Sequence, residues 1–556
     1  MIRHSLIVAA SGLLWLAPAH AQPSGQQAPS MREDALDPSP VDPAVDIDVG
    51  MFIGDARKAK PRTVFGNLIM RDMLTPLEGA DPLRPATQGG VLQYMKAISQ
   101  AALASGATAN GRAPDGDRMV FYTVAGSGTI TVNGRDHAVR DGIGFTLTPD
   151  FDFSLTNTGS EPLAFYVRWE TLPDDVTLTG DIGFYDRFEN NRRVGSHWAH
   201  ICNGGPNGFN LCTIAPHSMP QPHSHANEEI WIAVKGKTIL TLGKHMAEMV
   251  PGQAYRVPPT GLTAHSNINL TDEPVQLLFV GPAQRATTPP TPARLDFSRL
   301  DNRPYVYATE PDIDVFRGNW RDTFPRIEHG NIYFRDMLTA LAGNDPLAPA
   351  RTGAALTAAT AVSFAQLEPN AKAHRVEGES ENVQQLFYVV SGSGQLQSGD
   401  ISFSVAPGDS FLLPPTVDFT LAASGKNYLE FYVVSVRAEA NTPRAVRKID
   451  HSAAPLSASD WHNRERPIAT AADGLSGYSR VDLVELAPMS MSRPYSVAPG
   501  SEEVWIALEN DTELLLSKEL RPLPKGSAYI VPPTGITAHA HINTSDAPAR
   551  FLRLRR

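Results

Sequence analysis

The chain is short of three things: cysteine, long apolar runs and positive charge. With 2 cysteines in 556 residues, it cannot be a scaffold held together by many disulfides. Its formal net charge of -11 is spread along the chain, so we expect neither nucleic acid nor an anionic membrane surface as a partner. The apolar run at residues 6–16 is too short to span a membrane. No other stretch approaches a membrane helix.

The N-terminus has the pattern of a secretory signal. Arg3 precedes the apolar run, and residues 19–21 form a small-residue cleavage site. We expect residues 1–21 to be removed, so that the mature protein starts at Gln22 and is periplasmic or secreted. Residues 22–48 are rich in Pro, Asp, Ser and Gln and predict a flexible arm with little apolar surface to bury.

The remaining chain predicts an all-β protein of several domains. Proline and glycine are frequent, at 46 and 43 residues, and aromatic and β-branched residues recur in short runs. Long amphipathic patterns, which would predict helices, are scarce. A length of about 500 residues exceeds what one core holds and predicts about three or four domains.

The two cysteines, Cys202 and Cys212, flank a segment rich in Asn and Gly. This segment predicts a hairpin whose two strands place the cysteines opposite each other. In an oxidising compartment the pair is expected to form a disulfide. The alternative is two reduced cysteines that pack in a core. Neither has a base nearby in sequence, which argues against a catalytic thiol.

A cluster of histidines with one glutamate predicts a metal site. His223, His225 and Glu229 have the same parity, so on a β-strand they point to one face. His265 follows a proline and glycine turn that leads into another predicted strand. Three imidazoles and a carboxylate suit one divalent first-row metal. Iron or manganese is expected first, and nickel, copper and zinc also fit.

These residues resemble the motifs of the cupin superfamily. The pattern HxH, three residues, Glu, six residues, Gly is met from His223 to Gly236. The second motif is met, with one extra residue between its glycine and its histidine, by Pro259, Gly261, His265 and Asn269. The resemblance implies a small β-barrel of the jelly-roll (double-stranded β-helix) type. It also implies a metal at the barrel mouth, bound by His223, His225, Glu229 and His265.

The chain is internally duplicated. Residues 66–75 match residues 330–339, and residues 257–265 match residues 531–539. Each half also has an earlier strand that ends in a glycine turn, at Gly126 and Gly392. We therefore expect two halves of two cupin barrels each. The predicted barrels are residues 49–172, 195–285, 300–437 and 460–556.

Only the second barrel keeps the whole metal motif. In the first, Met119 takes the place of the glutamate. In the third, Gln385 takes it, and only His374 lies upstream. The fourth keeps Glu503 and His539 but has Pro494, Tyr495, Ser496 and Val497 in the region of the first two histidines. One carboxylate and one imidazole make a poor metal site, so we expect one metal per chain.

Several residues near the predicted metal are candidates for other roles. His217 and Tyr255 are catalytic candidates, although a loop histidine and a packed tyrosine are the plainer interpretations. Asn267 and Asn269 share the parity of His265 and are expected to point inward, with Asn269 also suited to capping a strand end.

Trp231 shares the parity of Glu229 and either packs in the core or forms a wall of the pocket. Trp505 occupies the corresponding position in the fourth barrel, where the metal motif is incomplete. A tryptophan kept without the motif favours a packing role. Strand alternation places Glu228 on the face opposite to that of Glu229, where it is expected to be solvated.

Two kinds of function fit this sequence. The first is a secreted, metal-dependent enzyme acting on a small molecule, with dioxygen-using oxidation (a dioxygenase) in first place and a lyase or isomerase reaction on a sugar or sugar acid as the alternative. The second is a periplasmic ligand-binding protein that does no chemistry, as three incomplete barrels out of four suggest. Whether the chain forms a homo-oligomer is left open, since its two halves can pair within one chain.

Overall fold

The computed structural model describes residues 47–281 and 312–556, apart from positions 173, 175, 191–192, 198–199, 221–227, 244, 260–264, 441, 452–453, 461, 517–518, 536 and 538. The predicted signal peptide and nearly all of the predicted arm lie outside these residues. The described part is almost entirely β, which confirms the predicted fold class. Its short 3-10 helices are Val49–Phe52, Pro206–Gly208, Ile313–Phe316, Trp320–Asp322 and Ala471–Asp473. None of the helices in these ranges has the length and apolarity to cross a membrane.

Among the described residues, the first half contains 22 strands. They are β1 (Ile53–Asp55), β2 (Pro61–Val64), β3 (Leu68–Pro76), β4 (Gly90–Leu92), β5 (Met95–Leu103), β6 (Thr108–Gly111), β7 (Asp117–Ala125), β8 (Ser127–Val132), β9 (Arg135–Arg140), β10 (Ile143–Leu147), β11 (Phe153–Asn157), β12 (Leu163–Thr171), β13 (Tyr185–Asp186), β14 (Arg193–His197), β15 (His200–Asn203), β16 (Phe209–Ile214), β17 (Ile230–Lys235), β18 (Thr238–Leu242), β19 (His245–Met249), β20 (Gln253–Arg256), β21 (His265–Ile268) and β22 (Val275–Val280).

The second half adds a further 22 strands. They are β23 (Arg317–Asn319), β24 (Arg326–Glu328), β25 (Ile332–Thr339), β26 (Ala359–Leu367), β27 (Lys372–His374), β28 (Val383–Ser391), β29 (Ser393–Ser398), β30 (Ile401–Val405), β31 (Ser410–Leu413), β32 (Thr420–Ser424), β33 (Leu429–Arg437), β34 (Arg447–Ile449), β35 (Ser457–Asp460), β36 (Asn463–Thr470), β37 (Arg480–Leu486), β38 (Ser490–Met491), β39 (Glu503–Glu509), β40 (Thr512–Leu516), β41 (Glu519–Leu523), β42 (Ser527–Ile530), β43 (His539–Asn543) and β44 (Ala549–Arg555).

Each barrel consists of one larger and one smaller sheet. The first has the orders β13-β10-β7-β12-β5-β3-β2 and β6-β11-β8-β9, with β4 beside β3. The second has β1-β20-β17-β22-β16-β15-β14 and β19-β18-β21. The third has β24-β25-β26-β33-β28-β31-β34 and β27-β32-β29-β30. The fourth has β23-β42-β39-β44-β37-β36-β35 and β38-β43-β40-β41. The same pattern therefore appears twice in each half.

In each half, a short strand that precedes the earlier barrel in sequence completes the larger sheet of the later barrel, and we call it the exchanged strand. β1 pairs antiparallel with β20 of the second barrel, and β23 pairs antiparallel with β42 of the fourth. The predicted boundaries place both strands in the first and third barrels, because a three-residue strand has too little periodicity to show its partner. Each strand crosses its neighbour at a glycine. A Cβ on Gly54 would lie 1.8 Å from the Met73 carbonyl oxygen, and one on Gly318 would lie 1.9 Å from that of Met337. No larger residue fits at either crossing.

Shared apolar cores join the barrels. One core contains Tyr122 and Tyr166 of the first barrel together with Ile232 and Leu278 of the second, and a corresponding core joins the third and fourth barrels. The two halves meet through the smaller sheets of the second and fourth barrels, where Met219 and other apolar residues of both sheets form a common cluster. The halves therefore pair within one chain.

The predicted disulfide is confirmed. Cys202 on β15 lies directly opposite Cys212 on β16, and the two are bonded. Both side chains are buried beside the core that joins the first and second barrels. A covalent bond at this position constrains a short loop of the unfolded chain.

Glu228 corrects one prediction, since it is not solvated. Its side chain is 0 % exposed and accepts hydrogen bonds from the backbone N–H groups of Gln93, at 2.6 Å, and Tyr94, at 3.1 Å. The guanidinium of the buried Arg256 lies 3.6 Å away. Burial raises the pKa of the Glu228 carboxyl, and the charge of Arg256 opposes that rise. The face opposite Glu229 is thus packed against the first barrel and not against water.

We expect the change Glu228→Ala to destabilise the first half by about 3 to 5 kcal/mol, because it leaves the buried charge of Arg256 without its carboxylate. Urea unfolding of the purified protein measures this loss. Glu248→Ala is the matched control, since Glu248 and its partner Lys237 are 55 % and 56 % exposed and such pairs contribute at most about 1 kcal/mol. Equal midpoints for the two variants would contradict a structural role for Glu228.

Candidate functional site

The second barrel brings Glu229 and His265 together. Glu229 directly precedes β17, and its backbone carbonyl accepts from Val257 N–H at 2.9 Å. His265 opens β21, in the facing smaller sheet. The Nε2 atom of His265 lies 2.8 Å from Oε1 of Glu229, and the two side chains are 1 % and 7 % exposed. A carboxylate and an imidazole that are distant in sequence are therefore adjacent and dry.

Trp231 holds the carboxylate of Glu229 in place. Its Nε1–H donates to Oε1 of Glu229 at 2.6 Å, and its ring packs against Phe279 with centroids 5.1 Å apart. Both sequence interpretations of Trp231 are thus partly right, since it packs in the core and also reaches the candidate site. Hydrogen bonds of this kind orient metal ligands in proteins.

The described donor pair fits a metal. Ligand atoms at about 2.0 to 2.2 Å from one metal and at right angles to each other lie about 3 Å apart. The observed 2.8 Å between Nε2 of His265 and Oε1 of Glu229 is close to that separation. The other two predicted ligands, His223 and His225, lie outside the described residues. Within the described residues, no group of three or more His, Cys, Asp and Glu side chains could hold an ion.

Tyr255 and Asn267 form a second buried polar pair in the same barrel. Nδ2 of Asn267 donates to the Tyr255 hydroxyl at 2.8 Å, and Tyr255 is opposite Trp231 in the register of β17 and β20. Burial raises the pKa of the Tyr255 phenol well above its usual value. In the described structure, Oδ1 of Asn267 is buried and accepts no hydrogen bond.

His217 and Asn269 lie away from this pair. His217 is on the surface, and its Nε2 lies 2.8 Å from Oδ1 of Asp272, a carboxylate that is 95 % exposed. It is therefore a loop histidine, and the structure does not bring it to the site. Nδ2 of Asn269 donates to the carbonyls of Ala215 and Glu273, at 3.0 and 2.9 Å. Its role is the capping one, and Asn543 repeats it in the fourth barrel.

The fourth barrel keeps the same pair but closes the space around it with a tyrosine. Oε1 of Glu503 lies 3.1 Å from Nε2 of His539 and accepts from Nε1–H of Trp505 at 2.6 Å. The Tyr495 hydroxyl also donates to this oxygen, at 2.6 Å, and its ring centroid is 4.1 Å from that of His539. The Tyr495 phenol therefore lies directly beside the Glu503 carboxylate. His541, which replaces Asn267, is buried, and burial lowers its pKa well below the usual value.

The first and third barrels are filled in another way. Phe121 stacks on Phe145 with centroids 4.9 Å apart, and Phe387 stacks on Phe411 at 4.8 Å. Met119 is buried among these rings in the first barrel.

The third barrel has a polar pair that the sequence did not predict. Nε2–H of His329 donates to Oε1 of Gln385 at 2.7 Å, and both residues are buried. His374, the histidine singled out in the sequence, is exposed instead. His329 was missed because it precedes the pattern by more than 50 residues, and only the fold brings it to Gln385.

Two family models match the chain, one in each half. Residues 210–281 match the model described as "Cupin domain", which covers the second barrel with Glu229 and His265. Residues 367–459 match the model described as "AraC-like ligand binding domain", which covers most of the third barrel. No curated protein matches the chain significantly.

Solved structures to which the chain is similar, at low sequence identity, include two oxalate decarboxylases and a putative glyoxylate induced protein. Oxalate decarboxylase from Lactobacillus farciminis, in a formate complex, is 12 % identical, with 43 % of this chain and 85 % of that chain covered and a TM-score of 0.33. Oxalate decarboxylase from Bacillus subtilis at pH 4.6 is 13 % identical, with coverages of 48 % and 84 % and a TM-score of 0.33. A putative glyoxylate induced protein from Pseudomonas aeruginosa is 15 % identical, with coverages of 40 % and 79 % and a TM-score of 0.32. At these values the likeness transfers no activity to this chain.

Proposed function

The chain belongs to the cupin superfamily, and we propose that its second barrel is the centre of a metal-dependent enzyme acting on a small molecule. The proposed ligands of one divalent metal, iron or manganese first, are His223, His225, Glu229 and His265. One observation carries the proposal. Glu229 and His265 are buried, with Oε1 and Nε2 2.8 Å apart, at the spacing of neighbouring metal ligands. The fourth barrel has a similar pair at 3.1 Å, but only the sequence of the second barrel adds an HxH motif.

The residues around the pair have separate tasks. A divalent metal held by these ligands would supply Lewis-acid and redox chemistry for a substrate oxygen and dioxygen. Trp231 fixes the orientation of Glu229 through its Nε1–H. Asn267 presents a buried carbonyl oxygen that accepts no hydrogen bond from the described residues, and it can accept one from a substrate hydroxyl.

Oxidation with dioxygen is the reaction that these side chains favour over a lyase or isomerase reaction. A reaction that moves a proton on a sugar acid needs a general base within hydrogen-bond reach of the substrate. Among the described residues at the site, Glu229 is a proposed ligand, the Tyr255 hydroxyl is buried and accepts from Asn267, and His217 lies on the surface. We therefore place dioxygen chemistry first and keep the lyase or isomerase reaction as the alternative.

We also propose that the protein works in the periplasm or outside the cell. The predicted signal at residues 1–21 and the disulfide between Cys202 and Cys212 support this location, since disulfides persist in oxidising compartments. Iron or manganese would then be acquired during folding or after export.

Metal analysis tests the proposed site. We expect about one equivalent of metal per chain in the purified mature protein, because one barrel has the full ligand set. The double variant His223→Ala, His225→Ala should retain its fold by circular dichroism and hold no metal. Glu503→Gln in the fourth barrel is the matched control and should keep the full equivalent. A parent protein that stays metal-free after reloading with iron or manganese would leave a ligand-binding protein instead of an enzyme.

Dioxygen dependence tests the reaction class. We expect the metal-loaded protein to consume dioxygen in an oxygen electrode when it is given small catechols or enediols, because such substrates bind a metal through adjacent oxygens. The double histidine variant is the control and should consume none. Turnover of a substrate under nitrogen at the aerobic rate would identify a lyase or isomerase and overturn the oxidative proposal.

The hydrogen bond from Trp231 gives a further expectation. Trp231→Phe keeps most of the ring packing but removes the N–H that orients Glu229, and outer hydrogen bonds of this kind change metal affinity by about 10- to 100-fold. Competition with a chelator should show a loss of that size. Trp505→Phe removes the equivalent bond to Glu503 in the fourth barrel and should leave the affinity unchanged. Equal affinities for the two variants would show that the bond does not orient a ligand.

A further inference from the structure

A cleft of about 730 Å³ lies between the third and fourth barrels. It is separate from the proposed metal site, which is in the second barrel. Its lining comes from both barrels, including Tyr388 on β28, Tyr432 on β33, Arg466 on β36 and Arg550 on β44. The volume is within the range of about 300 to 1,000 Å³ that is typical of small-molecule sites.

One wall of the cleft is aromatic. Trp320, in the 3-10 helix that follows the exchanged strand β23, stacks on Phe364 with centroids 4.6 Å apart and an interplanar angle of 25°. Phe364 in turn contacts Tyr432 at 5.5 Å. Arg321 lies over the Trp320 ring, 4.7 Å from its centroid. These residues offer a planar ligand an apolar surface at low entropic cost, because they already pack on one another.

The carboxylates of the cleft already have partners. Glu485 forms ion pairs with Arg464 and with Arg550, the latter at 3.0 Å. Glu509 pairs with Arg550 at 3.2 Å. The third carboxylate, that of Glu430, accepts a hydrogen bond from Nε2 of Gln366 at 2.8 Å.

Three cations of the cleft have no ion pair among the described residues: Arg321, Lys525 and Arg466. Of these, Arg466 is the one that is partly buried. Within the described part of the chain it has no carboxylate at ion-pair distance, and its Nε is buried and makes no hydrogen bond. Its charge acts on Tyr388, where burial raises the pKa of the phenol and Arg466 opposes the rise. A guanidinium that is partly buried and lacks a carboxylate is suited to bind one in a bidentate manner.

The corresponding positions of the first half lack both the stacked aromatic pair and the cation of Arg466. The registers of the two halves match Trp320 with Ala56 and Phe364 with Gln100. They also match Arg466 with Asn203. The stacked pair of Trp320 and Phe364 and the cation of Arg466 therefore occur together in the second half only. Conservation of packing between the duplicated halves does not explain this difference.

We propose that the cleft between the third and fourth barrels binds a small aromatic carboxylate, with the carboxylate on Arg466 and the ring against the wall formed by Trp320, Phe364 and Tyr432. Arg321 and Lys525, which also line the cleft, add positive charge that attracts the acid. The proposal does not depend on the metal site, so either can fail alone.

Calorimetric titration of the full mature protein with 2-naphthoate tests the proposal. We expect one saturable site per chain. The uncharged 2-naphthamide, which has the same ring, should bind at least about tenfold more weakly to the unmodified protein. Arg466→Gln should weaken naphthoate binding by a similar factor and leave amide binding unchanged. Arg447→Gln is the matched control, since Arg447 is 50 % exposed, is paired with Asp473 and does not line the cleft.

Three results would overturn the proposal. The first is the absence of saturable naphthoate binding to the parent protein. The second is equal binding of the acid and the amide, which needs no variant and so remains decisive if Arg466→Gln misfolds. The third is loss of binding in the His223→Ala, His225→Ala variant together with retention in Arg466→Gln, which would place the acid in the second barrel.

Discussion

The exchange of one short strand within each half is the constraint on which the rest of the structure depends. β1 leaves the first barrel to complete the larger sheet of the second, and it pairs directly with β20, the strand that carries Tyr255. β23 does the same for the fourth barrel and leads into the turn that carries Trp320. Because each crossing passes within van der Waals contact of a backbone carbonyl, it requires Gly54 and Gly318. Each of these strands ties two barrels of one half together through backbone pairing.

Duplication has left one barrel interior in three chemical states. The second barrel has Glu229 and His265 beside a predicted pair of histidines. The fourth has the same carboxylate and imidazole, with the Tyr495 phenol in contact with both. The first and third barrels are packed with stacked phenylalanines. The same barrel architecture therefore accommodates either a buried polar pair or stacked aromatic rings in its interior.

The sequence predicted the elements whose signal is local. The paired cysteines were placed opposite each other because a turn-rich segment separates them, and the register of β15 and β16 confirms it. The all-β class followed from short runs of aromatic and β-branched residues between glycine and proline turns. The inward direction of Glu229 and Trp231 followed from strand parity, and both side chains are buried. Glu228 was wrongly predicted because parity gives the face of a side chain but not what covers that face.

By itself, the sequence determined the fold class, the duplication and the spacing of one motif, since these depend on neighbouring residues and on repeats that can be read along the chain. Only the tertiary structure decided which barrel each exchanged strand completes, that His217 stays on the surface, and that His329 meets Gln385 across more than 50 residues. It alone placed Arg466 beside an aromatic wall from another barrel. The physical reason is the same in each case: contacts between distant segments depend on how whole sheets pack, and that packing leaves no periodic trace in the residues that make the contact.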